Sequence, residues 1–235
     1  MMLQFNVLAA SILSQYTDFE EIDWNKMWEA TKETLFMTVG SVIIVFILGL
    51  AIGLILYETS NQHSLAANIT YRVVSILVNV FRSIPFIILI VLLIPVTKQL
   101  LDTMVGPKAA LPALIVSSAP FYARLVETGF REIDKGVVEA VESMGANKWQ
   151  VIFKVLIPES LPSIAAGITT TTISLVGFTA MAAVIGAGGL GNMAYLDGFQ
   201  RNKPAVTLAA TVIILIIVFL IQGIGDRIVR RVDKR

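Results

Sequence analysis

Residues 139–162 read EAVESMGANKWQVIFKVLIPESLP, a polar stretch punctuated by glycine and proline in an otherwise apolar chain. Around its start, apolar residues recur at i, i+4 and i+7: Val137, Val141 and Met144. This spacing predicts a short amphipathic helix that Asp134 caps at its start and Gly145 ends. Asn147 is placed to cap a second helix, which Pro158 stops. The stretch therefore predicts two short helices joined by a sharp turn, followed by a return to apolar sequence.

The composition around this stretch is that of a membrane protein. Of the 235 residues, 56% are hydrophobic and 15% are charged, and the mean hydropathy is +0.78. A soluble domain of this size carries about 25% charged residues. A net charge of +1 with scattered basic residues gives no reason to expect nucleic-acid binding. The chain has no cysteine, and the single His63 cannot hold a metal ion alone, so we expect no metal site.

The first 34 residues do not have the pattern of a cleaved secretory signal. No lysine or arginine precedes the first apolar stretch, and four acidic residues follow it: Asp18, Glu20, Glu21 and Asp23. A secretory signal needs a positively charged start and a small-residue cleavage site. We therefore expect residues 1–34 to form an interfacial helix or a loose terminal arm on the extracytoplasmic side.

Long apolar runs predict several membrane spans, because a hydrocarbon core about 30 Å thick needs about 20 apolar helical residues. A transmembrane domain over residues 35–225 would contain five: 35–57, a span starting near Ile84 within 73–96, then 109–123, 160–196 and 204–225. The run 73–96 is interrupted by Arg82 and Pro85, and 160–196 is long enough to include a re-entrant or loop portion. The weakest prediction is 109–123, which is short and contains two prolines.

Lysine and arginine predict the orientation of these spans. With five spans the 18 basic residues divide 12 to six between the two sides, and without 109–123 they divide 14 to four. Because the cytoplasmic side carries the excess, both arrangements place residues 139–162 and the basic tail 226–235 in the cytoplasm. The five-span arrangement also places the N-terminus outside. Charge counting does not choose between the two.

The opening stretch resembles the EAA signature of permease subunits of bacterial ATP-binding-cassette importers. That signature runs Glu-Ala-Ala, three residues, Gly, nine residues and Ile-x-Leu-Pro. Four positions match, and three carry other apolar residues: Glu139, Ala140, Gly145 and Pro158 match, while Val141, Val155 and Ile157 differ. The resemblance implies that residues 134–158 form a cytoplasmic coupling segment that docks on a separate ATPase. The implied coupling residues are Glu139, Ala140, Val141, Met144, Gly145 and Pro158.

Three further stretches are similar to those of methionine-uptake permeases within this family: VNVFRSIPFIILI at 78–90, SSAPFYARLVE at 117–127 and VIGAGGLGNMAYLDGF at 184–199. The similarity implies an all-α, polytopic transmembrane protein with a five-span importer permease fold, located in the bacterial cell membrane. The implied partners are a second copy of the chain, a dimer of cytoplasmic ATP-binding subunits, an extracytoplasmic substrate-binding protein and membrane lipid. The implied cargo is methionine, as the D- or L-enantiomer.

Candidate residues for the translocation path lie in the fourth span. They are four hydroxyl side chains and one methionine: Thr169, Thr170, Thr172, Ser174 and Met181. Hydroxyl groups in helices commonly bond back to the preceding turn, and a methionine can simply fill core space. Lining the path and a structural role both remain open for the hydroxyls, whereas the resemblance favours Met181 as a flexible gate.

Two glycine patterns have structural interpretations. Gly186, Gly188 and Gly191 satisfy the dinucleotide-binding pattern GxGxxG, but that pattern requires a strand and a helix of a βαβ unit. We expect these glycines instead to bend the chain at the outer end of a helix, near the path. Gly49 and Gly53 form a GxxxG pair, which predicts close helix approach.

The sequence offers no catalytic machinery of its own. It has no phosphate-binding loop of the GxxxxGK[ST] type and no Ser/His/Asp or Cys/His set, so we expect neither an enzyme nor a cofactor. The alternatives are a permease for another small amino acid or related solute, an ion-coupled secondary carrier, or a membrane scaffold. The spans 35–57, 160–196 and 204–225 contain no acidic residue and no internal repeat is evident, which disfavours the ion-coupled carrier.

Overall fold

The computed structural model describes residues 15–62 and 64–233, and within these ranges every regular element is helical. Residues 1–14, His63 and the last two residues of the basic tail lie outside the described part of the chain. A 3-10 turn at Phe19–Glu21 precedes α1 Trp24–Ser60, α2 Leu65–Ser83, α3 Phe86–Leu92, α4 Ile94–Leu101, α5 Pro107–Arg131, α6 Lys135–Ser143, α7 Lys148–Val151, α8 Ile157–Met181, α9 Gly189–Met193 and α10 Pro204–Val232. Two π-helices, Ile152–Leu156 and Ala194–Gln200, and a second 3-10 turn, Ala182–Ile185, connect some of these helices.

Four helical stretches in the described ranges are long and apolar enough to cross a membrane: Trp24–Ser60, Pro107–Arg131, Lys148–Ile185 and Pro204–Val232. The pair α2 and α3 counts as a fifth span if it is taken as one broken helix, bent by 105°. The break follows from Pro85, because the preceding Ile84 has φ −80° and ψ 122°, the extended conformation that proline imposes on its neighbour. The predicted all-α fold is confirmed, and five spans agree with the structure when the bent pair is one of them.

The weakest predicted span, 109–123, lies inside the regular helix α5 of 25 residues. Of its most apolar 18 residues, 56% are buried, compared with 28% to 33% for the corresponding stretches of the other three candidate spans. A helix surrounded by protein needs less hydrophobicity than one that faces lipid, and neighbouring groups can compensate for a proline within it. This burial explains why α5 gives the weakest signal in the sequence.

Helix α1 begins earlier than the predicted span at residue 35. Asp23 starts it, because its Oδ1 accepts hydrogen bonds from the N–H groups of Asn25 and Lys26, both at 3.1 Å. With 37 residues, α1 is about 55 Å long and exceeds the hydrocarbon core of a bilayer. Residues 24–34 are therefore the first three turns of a helix that continues without a break into the span.

The residues of the chain form two compact units. The first unit contains the residues up to Gly40, Phe86–Leu114 and Leu175–Phe219, and the second contains Ser41–Pro85, Ile115–Ser174 and Leu220–Arg235. The core of the second unit is built from α1, α5 and the segment that follows α6, with Tyr122, Phe130 and Leu156 fully buried.

The GxxxG pair of α1 packs in this second unit. A Cβ atom on Gly49 would lie 2.5 Å from the ring of Tyr122, and one on Gly53 would lie 2.7 Å from the carbonyl oxygen of Ala123. Both distances are too short for any side chain, so the backbones of α1 and α5 approach closely only because these positions are glycine. The predicted packing role of the pair agrees with this contact.

Candidate coupling segment and translocation path

The coupling segment, residues 134–158, contains both of the capped helix starts that its sequence predicts. The carboxylate of Asp134 caps α6 by accepting from the N–H of Gly136 at 2.8 Å. Gly145 follows α6 with φ +88°, and its N–H donates to the carbonyl of Glu142 at 2.9 Å. Asn147 and Gln150 then cap the start of α7 reciprocally, at 2.9 and 2.8 Å. The predicted caps and the end of α6 at Gly145 are confirmed.

The prediction that Pro158 stops the second helix is wrong. The helix that begins at Lys148 continues through the π-helix Ile152–Leu156 into α8, and Pro158 is the second residue of α8. The turn before Pro158 is π-helical, with the N–H of Ile157 donating to the carbonyl of Ile152, and this wider turn accommodates the proline ring.

Most of the implied coupling residues are exposed on this segment: Glu139, Ala140, Met144, Gly145 and Pro158. Met144 is 79% exposed, so its apolar side chain is uncovered on this segment. Val141 lies differently, because it packs with Val138 and Ala146 against the core of the second unit. Val141 therefore fastens α6 to the protein, while the other five residues are available to a partner.

An exposed aromatic pair, Trp149 and Phe153, adjoins these residues. The two rings stack with centroids 5.9 Å apart, and the residues are 68% and 61% exposed. The opposite side of the same stretch is buried: Val151, Ile152, Val155 and Leu156. This burial packs the stretch that carries the aromatic pair against the core of the second unit. The i, i+4 spacing of two aromatic residues in the opening stretch is the sequence signal for it, and our sequence analysis missed it.

A buried carboxylate lies on α5 in the same unit. Glu127 is 2% exposed, and its two oxygens accept from Arg124 at 2.6 Å and from Arg131 at 2.8 Å. Arg124 also donates to Ser75 Oγ at 3.1 Å and Asn79 Oδ1 at 3.0 Å, both on α2. This network joins α2 to α5 in the second unit. The network was not among the predicted features, although arginines at i−3 and i+4 of a glutamate are a pattern that the sequence shows.

The hydroxyl groups predicted for the path all bond within α8. Thr169, Thr170, Thr172 and Ser174 each donate to the carbonyl four residues earlier, at 2.7 to 3.1 Å. Thr169 also packs tightly against α10, since a Cβ on Gly225 would lie 2.3 Å from its side chain. Thr170 is exposed and Thr172 and Ser174 are half-buried. Thr169 thus has a packing role, whereas Thr170 and Ser174 keep free lone pairs on an accessible part of α8.

Met181 ends α8 with its side chain 51% exposed. A 3-10 turn follows directly, and the chain then enters residues 186–191, here called the glycine loop. Gly186, Gly188 and Gly189 have positive φ angles in this loop. No strand occurs in residues 15–62 or 64–233, so the context that a dinucleotide-binding loop requires is missing from the described chain. The prediction that these glycines bend the chain after a helix agrees with the structure.

Comparison with known proteins supplies the family. The model of binding-protein-dependent transport system inner membrane components matches residues 49–234. The chain belongs to this family. Over 217 residues the permease is 54% identical to the methionine import system permease protein MetP of Bacillus subtilis, which covers 92% of this chain and 98% of that protein. Over 212 residues it is 45% identical to the D-methionine transport system permease protein MetI of Escherichia coli, with 89% and 98% covered.

A solved structure is similarly close. The methionine ABC transporter MetNI, in inward-facing conformations, matches the permease with a TM-score of 0.85 at 44% identity over 88% of this chain and 96% of that one. An amino acid ABC transporter solved with histidines shares the fold, with a TM-score of 0.67 at 19% identity. The predicted family, the importer permease fold and the role of membrane subunit are therefore confirmed. The permease is an inner membrane component with several spanning helices.

Proposed function

We propose that this permease translocates methionine across the bacterial cell membrane as the membrane subunit of an ATP-driven importer. The observation that carries the proposal is its 54% identity to a methionine import permease along 98% of that protein. The similarity to a D-methionine permease supports transport of the D- as well as the L-enantiomer. The fold alone would allow other cargo, because one fold serves many functions.

We propose that the permease works as a homodimer with two cytoplasmic ATP-binding subunits and an extracytoplasmic substrate-binding protein. The exposed residues of the coupling segment support the ATPase contact, because Met144 and the pair Trp149 and Phe153 offer apolar surface on a rigid, capped turn. Aromatic and methionine side chains are enriched where proteins bind one another. The chain has no phosphate-binding loop of its own, which supports hydrolysis by a separate subunit.

In this mechanism, closure of the ATPase dimer moves the coupling segment, which is fastened to the second unit by Val138, Val141 and Ala146. The motion reaches α8 through the π-helix Ile152–Leu156, and the path opens to the outside to receive methionine. Thr170 and Ser174 offer hydroxyl oxygens to the passing solute, and Met181 narrows the path. ATP drives the cycle only because the two conformations differ in affinity for nucleotide and partners.

Uptake by the purified complex in proteoliposomes tests the proposed function. With the ATPase and the binding protein present, labelled methionine should accumulate only when ATP is supplied. Accumulation of a different amino acid instead of methionine would reassign the cargo. Uptake driven by a proton or sodium gradient without ATP would show an ion-coupled carrier.

We propose that the coupling segment lies in the cytoplasm and the N-terminus outside. All 12 basic residues that the sequence assigns to the cytoplasm fall in the residue ranges of the second unit, and the other six fall in those of the first. Since the chain has no cysteine, a single introduced cysteine is the one thiol of the permease that a reagent can label. We expect Lys148→Cys to react with an impermeant maleimide only after the cells are opened, and Gln200→Cys to react in intact cells. Labelling of Lys148→Cys in intact cells would reverse the orientation.

Truncation of Met181 should affect transport more than stability. Its side chain is half exposed, so Met181→Ala leaves no closed cavity of the kind that costs about 2–5 kcal/mol in a core. We expect lower net methionine accumulation, because the path is less well closed, with an unchanged unfolding temperature. Met104→Ala, which truncates another exposed methionine, is the matched control. Normal accumulation with a lowered unfolding temperature would make Met181 a packing residue.

A further inference from the structure

The start of α9 is held by two neighbouring side chains of α1. The N–H of Gly189 donates to Glu33 Oε2 at 2.7 Å, and the buried N–H of Leu190 donates to Thr34 Oγ1 at 2.9 Å. Gly189 and Leu190 are the first two residues of α9, where N–H groups have no partner inside the helix, and Gly188 before them has no side chain to cap it. The acceptors that a capping residue normally provides therefore come from α1, 156 positions earlier in the chain.

The contact explains why glycine occurs at this point of the chain. Gly188 has φ +79° and ψ −160°, a conformation that is essentially restricted to glycine. A Cβ atom there would lie 2.3 Å from Glu33 Oε2, and one on Gly189 would lie 2.8 Å from Thr34 Oγ1. Any side chain would displace the two acceptors. Because Gly188 and Gly189 have no side chains, the carboxylate of Glu33 can reach the backbone N–H of Gly189.

The glycine loop is also tied to the end of α8. A Cβ on Gly191 would lie 2.2 Å from the Cα of Ala180, so the two backbones are in direct contact next to Met181. On the other side, the carbonyl of Gly186 accepts from the N–H of Gly106 at 2.9 Å. Between Met181 and Gly186 there is only the 3-10 turn Ala182–Ile185. A shift of the loop would therefore move the backbone that carries Met181.

We propose that Glu33, together with Thr34, is a positioning residue that fixes the glycine loop, and through it Met181, in the geometry that coupled transport requires. This inference rests on the proposed function for its transport consequence, but the positioning itself concerns only the contact of α1 with the loop. The bond from Gly189 to Glu33 is charge-assisted and is the stronger of the two. Glu33 is half-buried, which limits competition from water.

Hydrogen exchange tests the positioning directly. Glu33→Ala and Thr34→Val each remove one acceptor, so exchange of the amides in residues 186–193 should become about tenfold faster in the assembled complex. Glu33→Gln and Thr34→Ser keep an acceptor oxygen and should restore slow exchange. Glu29→Ala is the matched control, since Glu29 is an exposed carboxylate one turn earlier that bonds only to Lys32 among the contacts described for it. Unchanged exchange in Glu33→Ala would overturn the proposal.

The transport readout separates positioning from mere stability. We expect Glu33→Ala to hydrolyse ATP but to take up several-fold less methionine per ATP, with Glu33→Gln and Glu29→Ala close to the unmodified permease. Faster exchange with normal uptake per ATP would show that the contact is only structural and would overturn the proposal. If the unmodified complex moves no methionine, the proposed function fails, whereas the exchange experiment still decides whether Glu33 and Thr34 hold the loop.

Discussion

Gly145→Val is expected to insert and dimerise normally but to take up about tenfold less methionine per ATP hydrolysed, because a side chain in the left-handed conformation costs about 1–2 kcal/mol. Gly145 has φ +88°, and valine is among the residues least able to adopt this angle. The turn between α6 and α7 must then rearrange, and Met144 and the pair Trp149 and Phe153 change position relative to each other. The measurement is uptake per ATP in proteoliposomes, with co-purification of the ATPase.

Gly145→Asn distinguishes backbone strain from simple crowding. Apart from its two chain neighbours, nothing in the described part of the chain lies within 4 Å of a Cβ placed on Gly145, so the permease itself has space there for either side chain. Asparagine tolerates the left-handed conformation and should retain most of the coupling. Equal losses in both variants would indicate that the ATPase cleft excludes any side chain there. Normal coupling in Gly145→Val would show that this turn does not transmit motion.

Glu127→Ala should destabilise the permease by about 3–5 kcal/mol, because removing one partner of a buried ion pair leaves the other charge uncompensated. The carboxylate is 2% exposed and neutralises Arg124, whose side chain is only 23% exposed. Arg124 also donates to Ser75 and Asn79, so its displacement would loosen α2 from α5. Thermal unfolding of the solubilised complex should show a midpoint lowered by about 10 °C.

Glu132→Ala is the matched control for this result. Glu132 is an exposed carboxylate close by that accepts one hydrogen bond, from Ser163 at 3.2 Å. Its removal should change the unfolding midpoint little, as is usual for exposed polar contacts. Glu127→Gln should fall between the two, because it keeps an oxygen acceptor but loses the charge. A midpoint for Glu127→Ala equal to that of Glu132→Ala would show that the network contributes no stability.

The features that could be predicted from the sequence depend on residues that are close together in the chain. Asp134, Gly145 and Asn147 indicated the coupling segment because a cap, a left-handed glycine and a second cap each have a local residue signature. The apolar runs indicated the spans for the same reason. Helix α5 gave the weakest signal because more of it is buried than of the other spans. A helix that packs against protein needs less hydrophobicity than one that faces lipid, so its own sequence has a lower hydropathy.

Other features depend on residues far apart in the chain. Nothing in the sequence around Glu33 indicates that its carboxylate binds the N–H of Gly189. The positive φ angles of the loop, which are known only from the structure, show why an acceptor from another helix is needed there. The spacing of Arg124, Glu127 and Arg131 was readable, but an exposed helix surface gives the same spacing. Burial distinguishes the two cases, and burial follows from the fold rather than from the local sequence.

The π-helix Ile152–Leu156 sets the register between two exposed surfaces of the permease. A π turn closes hydrogen bonds from i to i+5 and so contains one residue more than an α turn. One extra residue rotates the helix on its N-terminal side by about 100° relative to the helix on its C-terminal side. The orientation of Trp149 and Phe153 relative to the face of α8 that carries Thr170 and Ser174 thus depends on a single inserted residue. A permease of this family that gained or lost that residue would present the aromatic pair in a different direction, with no change in the residues of the pair or of α8.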